Sequence, residues 1–98
     1  MKWSVTELLS STYRARKDGG PTAYIYRSLR WPDFYEHGGA DAYEVRCGGA
    51  AIALIRLEGK GASVCSLPAA AACASIGELD LVELALWLNK LRRPAPLN

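Results

Sequence analysis

The residues best suited to acid–base chemistry lie in one polar stretch in the first half of the chain. Asp33, Glu36 and His37 are close neighbours in sequence, and His37 is the chain's only histidine. Carboxyl and imidazole groups brought together can transfer protons to and from a substrate. A solvated loop accounts for the same three residues, so this stretch identifies no particular reaction.

Three cysteines, Cys47, Cys65 and Cys73, could supply thiol chemistry. A thiolate becomes a nucleophile when a base activates it, so Cys47 or Cys65 with His37 as its base is the enzyme hypothesis that the composition allows. The odd number and the lack of a Cys-x-x-Cys pair favour free thiols in a reducing compartment. One histidine does not complete the usual zinc spacings. We therefore assign no catalytic residue, no metal ligand and no cofactor.

Aromatic residues and arginines are concentrated between residues 24 and 35, which hold five of the nine aromatic residues. Tryptophan, tyrosine and arginine are the residue types enriched at binding hot spots. We expect Ile25 and Phe34 to belong to the core. The stretch predicts a partner-binding surface formed by Arg27, Arg30, Trp31 and Tyr35.

Single-stranded nucleic acid is a second partner that this stretch could bind, because aromatic side chains stack on bases and arginines hold phosphates. The chain has 12 basic and 10 acidic residues, a net charge of +2. A dedicated nucleic-acid-binding protein usually has a clearer basic excess. We therefore rank nucleic acid below a protein or ribonucleoprotein partner. The residues considered for base stacking and phosphate contact are Tyr24, Tyr26, Arg27, Arg30 and Trp31.

The N-terminal segment has the signals of a helix. Ser4 and Glu7 match a capping box, and Trp3 and Leu8 have the spacing of a hydrophobic staple. Glycines and a proline at residues 19–21 would end the helix.

The middle of the chain is typical of β-structure. Residues 22–30 favour a strand by propensity, although a short helix is an alternative. From Ala42, apolar Tyr43, Val45 and Cys47 alternate with polar residues, which indicates a strand with one buried and one wet face. Residues 51–57 are apolar on both faces, like an interior strand, and a four-residue connection, residues 58–61, leads to a shorter strand.

The last part of the chain predicts a second helix. Ser75 and Glu78 form another capping box, and the helix should continue to about Arg93, where Pro94 stops it. Residues 94–98 would be a short mobile tail. The whole chain, residues 1–98, is therefore predicted to form a single α+β domain. Its small antiparallel sheet has three or four strands, flanked by an N-terminal and a C-terminal helix on one face.

Self-association is a further expectation from the C-terminal helix. Successive helical residues are about 100° apart, which groups Trp87 with the polar residues of an otherwise apolar helix. One interpretation is a homodimer through a ridge made of Leu84, Trp87 and Leu91. The alternative is that Trp87 lies flat across its neighbours, with its indole N–H reaching solvent or Glu83.

Elimination leads to a functional hypothesis. The sequence has no secretion signal and no segment long enough to span a bilayer, so we expect a cytoplasmic protein with no membrane partner. No catalytic motif is present. The sequence predicts a small non-enzymatic protein that binds and modulates another macromolecule, such as an anti-CRISPR inhibitor encoded by a phage or mobile element. The alternatives are a single-stranded nucleic-acid-binding accessory domain and the small Cys/His-dependent enzyme.

Overall fold

The computed structural model describes residues 2–9, 12–27, 41–58, 61–73 and 75–91. They form a six-stranded antiparallel meander followed by a short 3-10 helix, Pro68–Ala72, and one α-helix. The strands, in chain order and sheet order, are β1 Trp3–Leu9, β2 Thr12–Lys17, β3 Thr22–Arg27, β4 Asp41–Cys47, β5 Ala50–Glu58 and β6 Gly61–Ser66, and the α-helix is α1 Glu78–Leu91.

The predicted fold class is wrong in two respects. The sheet has six strands rather than three or four, and the N-terminal segment is strand β1 rather than a helix. Trp3 and Val5 are both buried, which is the period of two that a strand requires. Ser4 and Glu7, the expected capping box, are exposed strand residues. Tertiary burial of Trp3 therefore overrides a local helix signal.

The strands predicted in the middle of the chain are confirmed by the structure. Residues 22–27 form β3, and the alternating segment from Ala42 lies in β4. Strand β5 is buried on both faces, as its composition indicates. Gly48 and Gly49 connect β4 to β5 with φ values of 61° and 85°. Two successive residues of positive φ are what a two-residue type I′ hairpin turn needs.

Helix α1 confirms the predicted C-terminal helix but begins with a different cap. The carbonyl of Gly77 accepts the N–H of Leu81 at 3.2 Å, so Gly77 rather than Ser75 precedes the first turn. The N–H of Gly77 donates to Oδ2 of Asp80 at 2.8 Å. This is the reciprocal half of a capping box, formed two residues later than predicted.

One face of the sheet, which we call the inner face, packs against α1. Its core contains apolar side chains from five strands, together with Leu81, Leu84, Ala85 and Leu88 of α1. The helix reaches both edge strands: Asp80 contacts Trp3 of β1, and Asn89 donates to the Gly61 carbonyl of β6 at 3.5 Å. The opposite face, called the outer face, is therefore the one that α1 leaves uncovered.

Candidate functional site

The outer face carries most of the arginines that the structure describes. Cross-strand partners share a face, so the pairing register identifies its members. Among described side chains, a single carboxylate, Glu44, accompanies its four arginines. The polar and aromatic members are Ser4, Thr6, Thr12, Arg14, Arg16, Thr22, Tyr24, Tyr26, Glu44, Arg46, Arg56 and Ser63.

One row of side chains crosses four strands of this face. Thr6 pairs with Arg14, Arg14 with Tyr24, and Tyr24 with Arg46. Neighbouring strands are about 4.8 Å apart, so the two arginines lie roughly 10 Å apart on either side of one tyrosine. Tyr24 and its neighbour Tyr26 are each 38% exposed. The row presents cations and an aromatic ring in alternation.

Arg46 is held in place by two short contacts. Its Nη1 donates to Oε2 of Glu44 at 2.7 Å, and its Nη2 donates to the carbonyl of Gly49, also at 2.7 Å. Glu44 is only 5% exposed, although the sequence pattern predicted it on a wet face. Because charge-assisted hydrogen bonds of this length are strong and directional, the guanidinium at this end of the row has a fixed orientation.

Arg14 and Arg16 differ from Arg46 in their contacts. Within the described ranges, neither makes a hydrogen bond or ion pair. They line a depression of about 400 Å³ on β1 and β2, together with the hydroxyl side chains of Ser4 and Thr6 and with the turn at residues 17–19. Ser4 is the cross-strand partner of Arg16, and Thr6 that of Arg14. The two guanidinium groups and two hydroxyls can donate hydrogen bonds to an anion. Lys17 adds a cation to the lining, and Asp18 adds a carboxylate.

Charge is divided between the two sides of the molecule. The helix carries Glu78, Asp80 and Glu83 against a single described cation, Lys90. Among the described side chains, the outer face carries four arginines and one carboxylate, Glu44. A net charge near zero therefore conceals a local basic surface, which is the property that attracts a polyanion.

The predicted partner-binding residues are only partly within the described structure. Arg27 is exposed at the end of β3, where it pairs with Tyr43 in the inner-face register. It therefore lies on the opposite face from Tyr24 and Tyr26. Arg30, Trp31 and Tyr35 lie outside the described residues, and so do Phe34 and the acid–base candidates Asp33, Glu36 and His37. Whether they bind a partner stays a prediction.

The residues of the predicted self-association ridge differ in burial. Leu84 is completely buried, whereas Trp87 and Leu91 are half-buried against the core. The ammonium group of Lys90 lies 5.5 Å from the ring centroid of Trp87. The indole N–H of Trp87 is buried and has no acceptor among the described residues, so it reaches neither solvent nor Glu83. A homodimer through this ridge stays a prediction.

The cysteines are free thiols in the structure. Sγ of Cys73 lies 3.0 Å from Sγ of Cys47 at the edge of the core, while Cys65 is exposed on β6. Burial, with the hydrogen bond and charge of Cys73, raises the pKa of Cys47 to about 11. A raised pKa reduces the thiolate fraction at neutral pH, which is the opposite of what a nucleophilic cysteine needs. Among described residues, no group of three potential ligands could hold a metal ion.

The sequence reasoning missed Arg14 and Arg16 as site residues because it assigned them to the end of a helix. The sequence does contain the alternation of a strand: in residues 12–17, Tyr13 and Ala15 alternate with the two arginines. Tyr13 and Ala15 are buried in the sheet. A strand interpretation would have put the arginines together on the other face.

Comparison of the chain with protein-family models, with curated proteins and with solved structures finds no match. In the described ranges, no helix is long and apolar enough to cross a membrane. The case for a function therefore depends on the geometry of the outer face.

Proposed function

We propose that this protein is a non-enzymatic binding protein whose macromolecular partner is single-stranded nucleic acid, held on the outer face of the sheet. The observation that carries the proposal is the position of Arg14 and Arg16. Their guanidinium groups make no hydrogen bond or ion pair among the described residues, and Tyr24 lies in the same cross-strand row. Proteins that bind single strands combine a basic surface that follows the phosphates with aromatic rings on which bases stack.

Each part of the surface has a distinct role in this proposal. Arg14 and Arg16, with the hydroxyls of Ser4 and Thr6, bind backbone phosphates in the depression on β1 and β2. Tyr24, half-exposed beside them, stacks on a base. The face of a six-stranded sheet suits an unstacked strand, because a duplex would hide its bases from the tyrosine.

Fluorescence anisotropy with a labelled oligonucleotide tests this function. A length of about 12 nucleotides is within the range of small single-strand binding sites. We expect Arg14→Ala/Arg16→Ala to weaken binding at least about tenfold and to reduce the slope of log K against log salt by about 1.4, the value for two lost phosphate contacts. Tyr24→Ala should cost about 1–3 kcal/mol of binding free energy.

Lys90→Ala is the matched control, since it removes a cation from α1, on the opposite side of the sheet. It should leave the affinity and the salt slope close to those of the unchanged protein. Absence of binding to DNA or RNA oligonucleotides at low salt would contradict the proposal. If Lys90→Ala, which removes one charge, caused about half the loss of binding free energy caused by the double arginine variant, which removes two, the effect would be one of net charge and would contradict the assigned site.

A protein partner is the second candidate, and it includes the inhibitor hypothesis. What favours it is an apolar stripe on the solvent side of α1, in which Leu79 is 85% exposed and Leu86 is 55% exposed. Large apolar side chains exposed on one helix face are typical of a protein contact. Leu79→Ser/Leu86→Ser should abolish co-purification of such a partner, whereas Arg14→Ala/Arg16→Ala should preserve it.

A further inference from the structure

The two edge strands of the sheet are protected to very different degrees. Natural sheets protect an edge with charges, prolines, bulges or a covering element, because unpaired backbone groups recruit another strand. Strand β1 has three of these protections. Its register shifts between Glu7 and Leu9, Glu7 is charged, and the N–H of Trp3 donates to Oε2 of Glu83 in α1 at 2.9 Å.

Strand β6, Gly61–Ser66, lacks charge, proline and bulge, and its described contact with α1 through a hydrogen bond is that of Asn89, which donates to the Gly61 carbonyl at 3.5 Å. Its sequence, GASVCS, contains no charged residue and no proline. Its pairing with β5 is regular over all six residues, with no bulge. Every residue of the strand except Val64 is exposed, and no described strand lies beyond it.

The alternation of backbone hydrogen bonds along β6 identifies the backbone groups that point away from β5. The N–H of Leu67 donates to the carbonyl of Ile52 at 2.9 Å, which continues the β5–β6 ladder. In an antiparallel pair, alternate residues direct their N–H and C=O to the partner. The odd-numbered residues of β6 therefore bond to β5, and Ala62, Val64 and Ser66 direct their backbone groups outward.

We infer that β6 is a homodimer interface, on which β6 of a second copy pairs antiparallel about a two-fold axis at Val64. In this register Val64 faces its own counterpart and Ala62 faces Ser66 of the second copy. All outward groups of both strands are then paired, in about six backbone hydrogen bonds. In this dimer the two six-stranded sheets join into one continuous sheet.

A second copy fits this edge because a two-fold axis brings each residue close to itself or its near neighbours. Any charged residue near such an axis would face a like charge, and like charges directly opposite are destabilising. The six residues of β6 have neither charge nor a side chain larger than valine. The axis therefore brings together neither like charges nor bulky groups. This inference is independent of the proposed nucleic-acid binding.

Light scattering on the full chain gives the first test. The unchanged protein should have twice the mass of one chain, and Ala62→Pro should have the mass of one chain. Proline removes an outward N–H that has no partner among the described residues, and edge strands tolerate proline. Ala62→Ser keeps that N–H and is the matched control, so it should remain dimeric. Circular dichroism melts check that the proline variant is folded.

Disulfide trapping tests the register and does not depend on the proline variant. The proposed pairing puts residue 63 directly opposite Cys65 of the second copy, with Cα atoms about 4.5 Å apart, whereas the two native Cys65 residues are about 8 Å apart. A disulfide requires Cα atoms roughly 4.4–6.8 Å apart. Ser63→Cys should therefore form a covalent dimer, while the unchanged protein and Thr22→Cys, on β3, should not.

The trapping reaction uses a small oxidised disulfide such as oxidised glutathione. Each new protein disulfide consumes two protein thiols and one reagent disulfide, and it releases two reagent thiols. A monomeric protein without cross-linking of Ser63→Cys would overturn the inference. So would a dimer that survives Ala62→Pro without that cross-link, or one that Trp87→Glu splits and Ala62→Pro does not, because both place the contact elsewhere.

Discussion

The indole N–H of Trp3 donates a hydrogen bond to Oδ1 of Asp80 at 3.0 Å, which joins the first strand to the first turn of α1. The same carboxylate accepts the N–H of Gly77 at 2.8 Å and forms an ion pair with Lys17 at 3.2 Å. One side chain thus connects β1, β2 and the start of the helix. Its loss should affect all three elements together.

The stability of the protein should depend on the ionisation of Asp80. Burial alone would raise the pKa of this carboxyl, but the Gly77 N–H, the Trp3 indole and the Lys17 ammonium outweigh burial and lower it. A lowered folded-state pKa stabilises the protein fully above the unfolded pKa of about 3.9, and this contribution is lost as the pH falls through the folded value.

We expect Asp80→Asn to cost about 2 kcal/mol of unfolding free energy at pH 7, as for hydrogen bonds to a charged group. The difference from the unchanged protein should shrink near pH 2. Urea denaturation at both pH values measures it. Glu78→Gln, an exposed carboxylate in the same first turn, is the control. A cost that is the same at both pH values would contradict the role of the charge.

Two tryptophans form a matched pair for measuring the Trp3 hydrogen bond. The indole N–H of Trp3 has an acceptor, whereas that of Trp87 is buried and has no acceptor in the described part of the chain. Trp3→Phe should cost more than Trp87→Phe by about 1–2 kcal/mol, since only the former removes a hydrogen bond to a charged group. Thermal melts compare the two, and equal losses would contradict the assignment.

The three cysteines should react at different rates. Cys65 is exposed, whereas Cys47 is half-buried with a raised pKa and lies beside Cys73. Iodoacetamide at neutral pH should therefore modify Cys65 first, because alkylation requires an accessible thiolate. Peptide mass spectrometry over time gives the order. After unfolding without reductant we expect three modified cysteines, and a resistant intramolecular disulfide would contradict this.

Substitution tests the predicted role of Arg30 and Trp31 as partner-binding residues. If they bind a partner, replacing either with alanine should weaken binding by about 2 kcal/mol or more and change stability little. If Trp31 is a core residue, Trp31→Ala should instead cost about 3–5 kcal/mol of unfolding free energy. Melts and a binding assay on the same samples separate the two, and unchanged binding by both variants would contradict the surface hypothesis.

Secondary structure was predictable from the sequence where the spacing of apolar residues fits a strand alone. It was not predictable where strand and helix signals occur in the same segment. In β4, apolar Tyr43 and Val45 alternate with polar residues and no helix signal intervenes, so the strand is evident. In β1, the alternation of Trp3 and Val5 competes with a capping box. The strand wins because both side chains are buried against α1, a contact between distant parts of the chain.

The candidate site shows the same dependence on distant pairing. Arg14 and Tyr24 have suitable residue types in any fold, but only the β2–β3 register makes them neighbours. The basic outer face was likewise not predictable from composition, because the acidic residues of α1 offset the arginines in the total charge. The division of charge between the two sides is a property of the fold.

The contact of α1 with the edge of β1 makes folding sensitive to the rate of protein synthesis. Trp3 and Glu83, which join through the backbone N–H of Trp3, are 80 positions apart. At about 5–20 residues per second, the ribosome needs roughly 4–16 seconds to make the intervening chain. During that interval nascent β1 lacks the helix that covers it, and strand pairing between neighbouring nascent chains competes with folding. Codons that slow translation between β6 and α1 should therefore reduce soluble yield, and a chaperone that holds extended segments should restore it.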